Sequence, residues 1–511
     1  MLTAVSISPH SEVLVHKNKI TAILDSFFAV FRCSVCCGFI AASWLIAVDS
    51  VGAAEDIPNC RIFDSYLQLQ QKLIQGNLAD GDNYLFELVL QLPNEREKAK
   101  GLLRAFIKEK RRNAENQNSA ASKLLQELYG LFVCSRPNPD IIYSFLESQK
   151  LDSWTANKDI DEPGRPPGWQ WKPCGNAMLY TYQATGEERF LNLFTRIADS
   201  YANQRDSEFG YEDQARGRIL KSWSSVIHVK KGIGSEEHLK TGGLIRTNEI
   251  TLAGLMVFPQ TIFANIIRKD SYLNRKYGSA AERYIRVAEE ALEEFESEFF
   301  VVPGSKMGYY SMPYDGRPEP LNHTHAAGAV FANLWAYTGK EDFRQRVERL
   351  SNYYKASIHK ENNGSYSWGY RPTPNNFLDH RSEPIWKMRT TILLPIEAYK
   401  QNISFSSYDM KALSKTFLNN IVLPDYQINK YISLKDKKIL KVENLVRRGW
   451  ELRPASLAGL IILDQFDPEV RTVVEGLVLN RLDFFPKCWL TSPITLEAYA
   501  YRLLSSKGNA D

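Results

Sequence analysis

The chain has 511 residues, of which 44% are hydrophobic and 24% charged. That balance is typical of a folded soluble protein and excludes a disordered, collagen-like or polytopic membrane chain. A formal net charge of +4, from 63 basic and 59 acidic residues, argues against a dedicated nucleic-acid-binding protein.

The first 53 residues have the order of a secretory signal. Lys17, Lys19 and Arg32 precede an uncharged apolar run at 33–48, and small residues follow at 51–54. This run of about 16 residues is shorter than the ~20 that span a bilayer comfortably. We therefore expect 1–53 to be a signal peptide or N-terminal anchor. Once the signal is removed, the protein would be periplasmic or secreted, begin near Ala54 and have no stable membrane insertion.

Four of the seven cysteines lie beyond the predicted signal: Cys60, Cys134, Cys174 and Cys488. An even number suits disulfide formation in an oxidising compartment, but the sequence leaves the pairing open. No Cys-x-x-Cys pair lies in this part of the chain, so we expect no structural zinc site. No cofactor is predicted either.

Apolar residues at three- and four-residue spacing predict helices at 62–92 and 95–115, and again at 123–150 after a polar loop. These segments form a predicted N-terminal helical region at 54–150. From about residue 151 the loops become rich in Trp, Pro, Gly and Tyr, and they separate further helical segments.

The part of the chain after residue 151 contains an internal sequence repeat. Thr185-Gly186 and Thr338-Gly339 are each followed by Phe, Arg and Tyr at the same spacings, and each follows an apolar segment. Both units predict a helical hairpin in which Gly supplies the left-handed stop. Small-residue triplets at 252–254, 326–328 and 457–459 recur at helix starts and predict close helix–helix approach. Hairpins that cannot bury their apolar faces alone must stack on one another.

These stacked hairpins look like an α/α toroid, the barrel of helical hairpins used by many polysaccharide lyases and glycoside hydrolases. The resemblance covers about residues 160–400 and, more loosely, 60–500. It implies an all-α fold with short strands only in loops, a toroid core at 151–400, and a helical region at 401–511 that completes the ring. Within that last region we expect short strands at 421–440 and a helix at 455–466. A plain α-solenoid scaffold is the alternative, although its turns are usually short and uniform.

Polar and aromatic residues cluster at four loop segments: 168–172, 244–249, 308–325 and 366–381. The third ends in Asn322-His323-Thr324-His325, just before an apolar helix. Asn322 or Thr324 could simply be the helix N-cap. His323 and His325 could bind zinc, but no carboxylate–histidine partner stands at a helical spacing, and we predict no metal site.

Asn322-His323 is similar to the Asn-His pair that alginate-lyase-like polysaccharide lyases of the toroid class carry at a helix start. Those enzymes have an Arg and a Tyr further along, which Tyr370 and Arg371 could supply, here adjacent and in the reverse order. The resemblance implies that Asn322, His323, His325, Tyr370 and Arg371 are catalytic. Glu383 and Lys387 lie where toroid relatives often place an acidic residue and a His.

The chemistry of β-elimination makes these residue types intelligible. Asn, protonated His or Arg binds the uronate carboxylate and stabilises its developing charge. A Tyr or His takes the proton from C5, and a Tyr returns one to the leaving oxygen. Arginines would pair with carboxylates in bidentate fashion, and Trp rings would stack on sugar faces. The predicted substrate-binding residues are Trp169, Trp171, Arg246, Asn248, Glu249, Tyr310, Tyr314, Trp368, His380 and Arg381.

The sequence therefore favours an exported polysaccharide lyase that acts on an acidic polysaccharide. A glycoside hydrolase stays open, because it needs two carboxylates and Glu249, Asp315, Asp379 and Glu383 lie in the same loops. A uronate C5-epimerase would use similar proton abstraction. A non-catalytic glycan-binding or export-assembly protein is the further alternative. The polymer and the oligomeric state are not predicted, and no nucleotide loop, nucleophile elbow or dinucleotide fingerprint is present.

Overall fold

The structure, a computed structural model, describes residues 137–153, 168–229, 243–377, 381–440, 455–480 and 492–507. All of them belong to the unit Val89–Asp511. The predicted signal, the predicted helices at 62–92 and 95–115, and Cys60, Cys134, Cys488, Asp379 and His380 lie outside the described residues. Cys174 is described, and its thiol is buried in the core.

The described residues are mostly helical, which confirms the predicted all-α class. Their helices are α1 (Pro139–Ser148), α2 (Gly168–Thr185), α3 (Arg189–Ala202), α4 (Asp206–Phe209), α5 (Ile250–Arg268), α6 (Ser271–Glu293), α7 (Leu321–Thr338), α8 (Glu341–Ala356), α9 (Ile385–Thr391), α10 (Leu393–Lys400), α11 (Ser407–Lys415), α12 (Ala455–Ala458), α13 (Glu469–Asn480) and α14 (Pro493–Lys507).

Strands in the described residues form only two-stranded antiparallel ladders in the connections between helices, as predicted. They are β1 (Glu212–Asp213) with β2 (Arg218–Ile219), β3 (Ser224–Val229) with β4 (Gly243–Asn248), β5 (Phe299–Val301) with β6 (Gly308–Tyr310), β7 (Ile358–Lys360) with β8 (Tyr366–Trp368), and β9 (Val422–Leu423) with β10 (Gln427–Ile428). The last pair falls within the predicted stretch 421–440. The predicted helix at 455–466 consists of α12 and a 3₁₀ segment, Gly459–Gln465.

Both Thr-Gly hairpins form as predicted. Gly186 joins α2 to α3 at φ +75°, and Gly339 joins α7 to α8 at φ +71°, in the left-handed region that favours glycine. In each turn the Thr hydroxyl donates to the carbonyl four residues earlier at 2.8 Å and accepts from the N–H two residues later at 3.2 Å. The internal sequence repeat therefore reflects one turn geometry used twice.

One set of helices packs in a cyclic order. Helix α2 packs on α5, α5 on α7, α7 on α9, α9 on α12, α12 on α14, and α14 returns to α2. The second helices of the hairpins lie against this set, with α3 on α2, α6 on α5 and α8 on α7. The apolar residues of these faces form a continuous hydrophobic core.

Small residues allow the close approach that the triplets predict. A Cβ on Gly254 of α5 would lie 2.7 Å from backbone atoms of Ala326 and Ala327 in α7. Because backbone atoms cannot move aside cheaply, the α5–α7 contact depends on the absence of a side chain at this position.

Helix α5 is the most apolar long helix of the described residues. By length and composition it could cross a membrane, with a mean hydropathy of 1.7, but 83% of that stretch is buried inside the fold. It packs on α2, α6 and α7, so its apolar surface is covered by protein. Burial on all sides explains why α5 is apolar all round instead of amphipathic.

Candidate active site

Three of the four loop segments meet near the starts of helices. Glu249 precedes α5, Asn322 and His323 lie in the first turn of α7, and Trp169 lies near the described start of α2. Backbone hydrogen bonds bring the fourth segment to the same place. The N–H of Leu321 donates to the carbonyl of Tyr370 at 3.2 Å. Tyr370 is thereby held beside the first turn of α7.

His323 is paired with a carboxylate that sequence analysis did not select. Its Nδ1 lies 2.8 Å from Oε2 of Glu319, which is buried just before α7 begins. An ionised carboxylate only accepts hydrogen bonds, so Nδ1 is the donor in this contact. The pair therefore fixes the orientation of the imidazole and directs Nε2 away from Glu319.

Asn322 is buried, at 0% exposure, yet neither atom of its side-chain amide has a hydrogen-bond partner among the described residues. Buried amides are nearly always paired, because an unpaired one keeps its full desolvation cost. Because the amide is enclosed by protein, the catalytic role of Asn322 stays a prediction. Asn322 is not the N-cap of α7, since that position is held by Pro320, which makes no side-chain cap bond.

Tyr370 is surrounded by charges. Burial and the carboxylates of Glu383, Glu319 and Glu249 raise its pKa, while the guanidinium of Arg371 acts in the opposite direction. The phenol therefore stays protonated near neutral pH and is suited to donate a proton. Three carboxylates and one cation therefore act electrostatically on this phenol.

Arg371 contributes a cation without a carboxylate partner among the described residues. Its Nη2 reaches only the sulfur of Met312, at 3.5 Å, and its Nε is buried without a hydrogen bond. Tyr314 donates to the same sulfur at 3.2 Å, and its pKa is raised by burial and by neighbouring carboxylates. Tyr314 and Arg371 thus share the Met312 sulfur as a neighbour.

Lys387 stands between two aromatic rings of the site. Its Nζ lies 5.8 Å from the ring centroid of Trp169 and 6.0 Å from that of Tyr370. Trp169 is only partly buried, so its ring keeps accessible surface. The structure therefore brings together Trp169, Glu249, Glu319, His323, Tyr370, Arg371, Glu383 and Lys387, which we call the Tyr370 cluster.

Glu383 is the fully buried carboxylate of this cluster. Its two carboxyl oxygens accept hydrogen bonds from Trp368 Nε1 and Thr391 Oγ1, each at 2.6 Å. Burial raises the pKa of Glu383 to about 7, although both hydrogen bonds and Lys387 act against the shift. Glu383 therefore changes its charge near neutral pH.

His325 lies behind the cluster and is fully buried. Its Nδ1 donates to the carbonyl of Thr391 at 2.6 Å, its ring packs edge-on against Tyr354, and burial lowers its pKa to about 4. The ring is therefore neutral and enclosed, and the prediction that His325 is catalytic is wrong. His323 and His325 point to different surroundings because two residues along a helix turn a side chain by about 200°.

Three aromatic residues predicted to contact sugar are core residues instead. Trp171 is fully buried and donates its indole N–H to the carbonyl of Met256 at 2.8 Å. Tyr310 is fully buried, and its hydroxyl accepts a hydrogen bond from Arg346. Trp368 is 3% exposed and holds Glu383. Burial leaves Trp171 and Trp368 no accessible face for the predicted stacking on a sugar, and it leaves Tyr310 no surface for the predicted substrate contact.

Arg246 and Asn248 project from the same face of β4 into a buried polar network. Asn248 Nδ2 donates to Asp206 at 2.9 Å, and Arg246 donates to Ser224, whose hydroxyl reaches the same carboxylate. Both side chains therefore support β4, which ends at Asn248 just before Glu249, and their predicted contacts with substrate stay a prediction. Arg381 is exposed and donates to the hydroxyl of Tyr431 at 2.6 Å.

The candidate carboxylates of a hydrolase are distributed unevenly. Glu249 and Glu383 belong to the Tyr370 cluster, whereas Asp315 is paired with Arg317 at 2.5 Å in its own turn. In the part of the chain that the structure describes, no three His, Cys, Asp or Glu side chains are grouped so as to hold a metal ion. Glu319 escaped sequence analysis, although its four-residue separation from His323 is a usable signal.

No protein-family model matches the chain, and a comparison with curated proteins finds no match.

Proposed function

We propose that the protein is an exported polysaccharide lyase that cleaves a uronic-acid-containing polymer by β-elimination. The observation that carries the proposal is the His323–Glu319 pair, which lies in one cluster with the protonated Tyr370 and the unpaired Arg371. This arrangement supplies a base, an acid and an anion-binding group, the three functions that elimination next to a carboxylate needs.

In the proposed reaction, Arg371 binds the uronate carboxylate and stabilises the negative charge that develops on it. Nε2 of His323 removes the proton from C5. The C5–H electrons form the double bond between C4 and C5, the C4–O4 bond breaks, and the Tyr370 hydroxyl gives its proton to O4. A raised Tyr370 pKa favours this acid role over that of a base.

The proposal includes an α/α-toroid arrangement of the helices. Its support is the cyclic packing order of α2, α5, α7, α9, α12 and α14, with α3, α6 and α8 laid against that set. In such a ring the equivalent hairpin ends face one cavity, which explains how residues of distant segments gather at Tyr370.

An acidic substrate is supported by the local electrostatics. The long helices α5 and α7 begin at the cluster, and helix N-termini carry partial positive charge. The guanidinium of Arg371, which has no carboxylate partner among the described residues, adds hydrogen-bond donors at the same place. Together these groups favour the binding of a sugar carboxylate over that of a neutral sugar.

Hydrolysis is the second candidate function, because Glu249, Glu319 and Glu383 all act on Tyr370. A buried Glu383 with a pKa of about 7 would suit a general acid. The same cluster could also serve a C5-epimerase, in which the proton removed from C5 returns to the opposite face.

A single assay separates these functions. The purified protein is incubated with a panel of uronic-acid polymers, and ultraviolet absorbance of the unsaturated product and the number of reducing ends are followed together. Elimination raises both signals, and hydrolysis raises reducing ends alone. Incorporation of solvent deuterium at C5 without cleavage identifies an epimerase, and binding without any change identifies a glycan-binding protein. Only the first result agrees with the proposal.

A further inference from the structure

Lys387 is the remaining cation of the Tyr370 cluster. It lies in the first turn of α9 and reaches between the rings of Trp169 and Tyr370, at 5.8 and 6.0 Å from their centroids. Such positions attract a cation to the ring faces and hold it without a counter-ion. The ammonium is thereby fixed beside the one accessible Trp ring of the cluster.

The charge of Lys387 is not neutralised by an ion pair among the described residues. Glu383 and Glu249 act on it only at longer range and raise its pKa, while burial lowers it more. Glu383 is already held by Trp368 and Thr391. A partly buried ammonium that lacks a hydrogen-bonded anion gains most from an anion that a ligand brings.

We propose that Lys387 binds the carboxylate of the sugar that stacks on Trp169 and thereby restricts the cleft to polymers with free uronates. The inference rests on the proposed function only in taking an acidic polysaccharide as ligand. Stacking on Trp169 accepts any sugar face, so it does not distinguish charged from neutral sugars. Lys387 provides this selectivity, because esterification of the uronate removes the negative charge that pairs with the ammonium.

The experiment measures binding apart from turnover. Protein carrying Tyr370→Phe, which slows the reaction, is titrated calorimetrically with short oligosaccharides of alginate, pectate and glucuronan, and with their methyl esters. At least one free acid should bind about tenfold or more tightly than its ester, as expected for a charge-assisted hydrogen bond. Adding Lys387→Met should remove this preference by weakening the free acid alone, and Lys387→Arg should keep much of it.

Lys340→Met is the matched control. Lys340 also lies over an aromatic ring, that of Phe343, but it follows the C-terminal end of α7, about 27 Å from the helix start at 1.5 Å per residue. Its removal should leave both affinities unchanged. Thermal unfolding of each variant checks that the fold is retained.

The inference is overturned if Lys387→Met keeps the preference for the free acid, or if it weakens acid and ester equally. Absence of binding to every oligosaccharide overturns it as well. The proposed function fails separately: protein with the native Tyr370 that discriminates acid from ester but yields no unsaturated product is not a lyase, yet Lys387 would still be its carboxylate-binding residue.

Discussion

His323 Nδ1 lies 2.8 Å from Glu319 Oε2, and the two residues stand on either side of the point where α7 begins. Glu319 is buried and accepts a hydrogen bond from the Nδ1–H group. A flip of the imidazole ring would therefore break this hydrogen bond. In the proposed reaction, Nε2 is therefore the nitrogen that takes the proton from the substrate. This orientation connects the start of one helix to the proposed proton transfer.

The first prediction concerns the proton-transfer residues. His323→Ala and Tyr370→Phe should each lower the rate of elimination by at least ~10²-fold, because each removes a group that moves a proton in the transition state. Initial rates of unsaturated product formation measure the effect. His359→Ala is the control, since His359 is an exposed histidine on β7. Full activity in both variants would refute the roles of His323 and Tyr370 in proton transfer and would favour the carboxylates of the cluster as the reacting groups.

The fold was more accessible to sequence analysis than the site. The Thr-Gly hairpins follow from local rules, because a left-handed glycine and a capping hydroxyl act within a few residues of each other. The close approach at Gly254 also follows, since a small residue at an apolar helix start has few other uses. Both depend on contacts that the sequence pattern encodes directly.

Side-chain direction was not accessible in the same way. Trp169 and Trp171 lie two residues apart, yet one ring adjoins the Tyr370 cluster and the other is sealed against Phe194 and Tyr201 in the core. Helix rotation decides between them, and the sequence does not show which face meets α5. Lys387 gains its significance from Trp169 and Tyr370, which are distant in sequence and which only the packing of the helices brings to it.

The second prediction concerns Glu383 and pH. Its pKa is raised by burial from the ordinary value of 4.5 to about 7, so between these values the folded protein holds a proton that the unfolded chain has lost. The contribution of Glu383 to stability should therefore fall as the pH rises from 4.5 through 7. Glu383→Gln cannot ionise and should escape this loss. Urea unfolding across that range should show the variant gaining stability relative to wild type, and parallel curves would contradict the prediction.

The third prediction concerns a buried charge cluster that joins α2, α9 and α14. Glu497 accepts hydrogen bonds from Lys172 at 2.5 Å, Asn176 at 2.7 Å and Arg389 at 3.3 Å. Glu497→Leu leaves two buried cations without their carboxylate and should cost about 3–5 kcal/mol. Lys172→Met should cost less, because Asn176 and Arg389 still satisfy Glu497.

Urea unfolding of both single variants and of the double variant measures the asymmetry. The double variant should be more stable than the sum of the two single losses suggests, since it removes a pair and leaves fewer unpaired charges. Equal losses in the two single variants would show that Glu497 does not organise the cluster.

The last prediction compares two helical glycines that differ in their surroundings. Gly254→Ala places a Cβ 2.7 Å from backbone atoms of α7, so α5 and α7 must separate, at a cost of about 1–3 kcal/mol. Gly278→Ala in α6 meets only the end of the Asn274 side chain, at 3.0 Å, which can rotate away. There the gain in helix propensity should prevail and stabilise the protein by roughly 0.5–1 kcal/mol. Opposite signs in urea unfolding are expected because the same methyl group meets rigid backbone at one site and a flexible side chain at the other. If both variants were stabilised, α5 and α7 would not be in the contact that sets the cyclic packing order, and the proposed ring would lose one of its links.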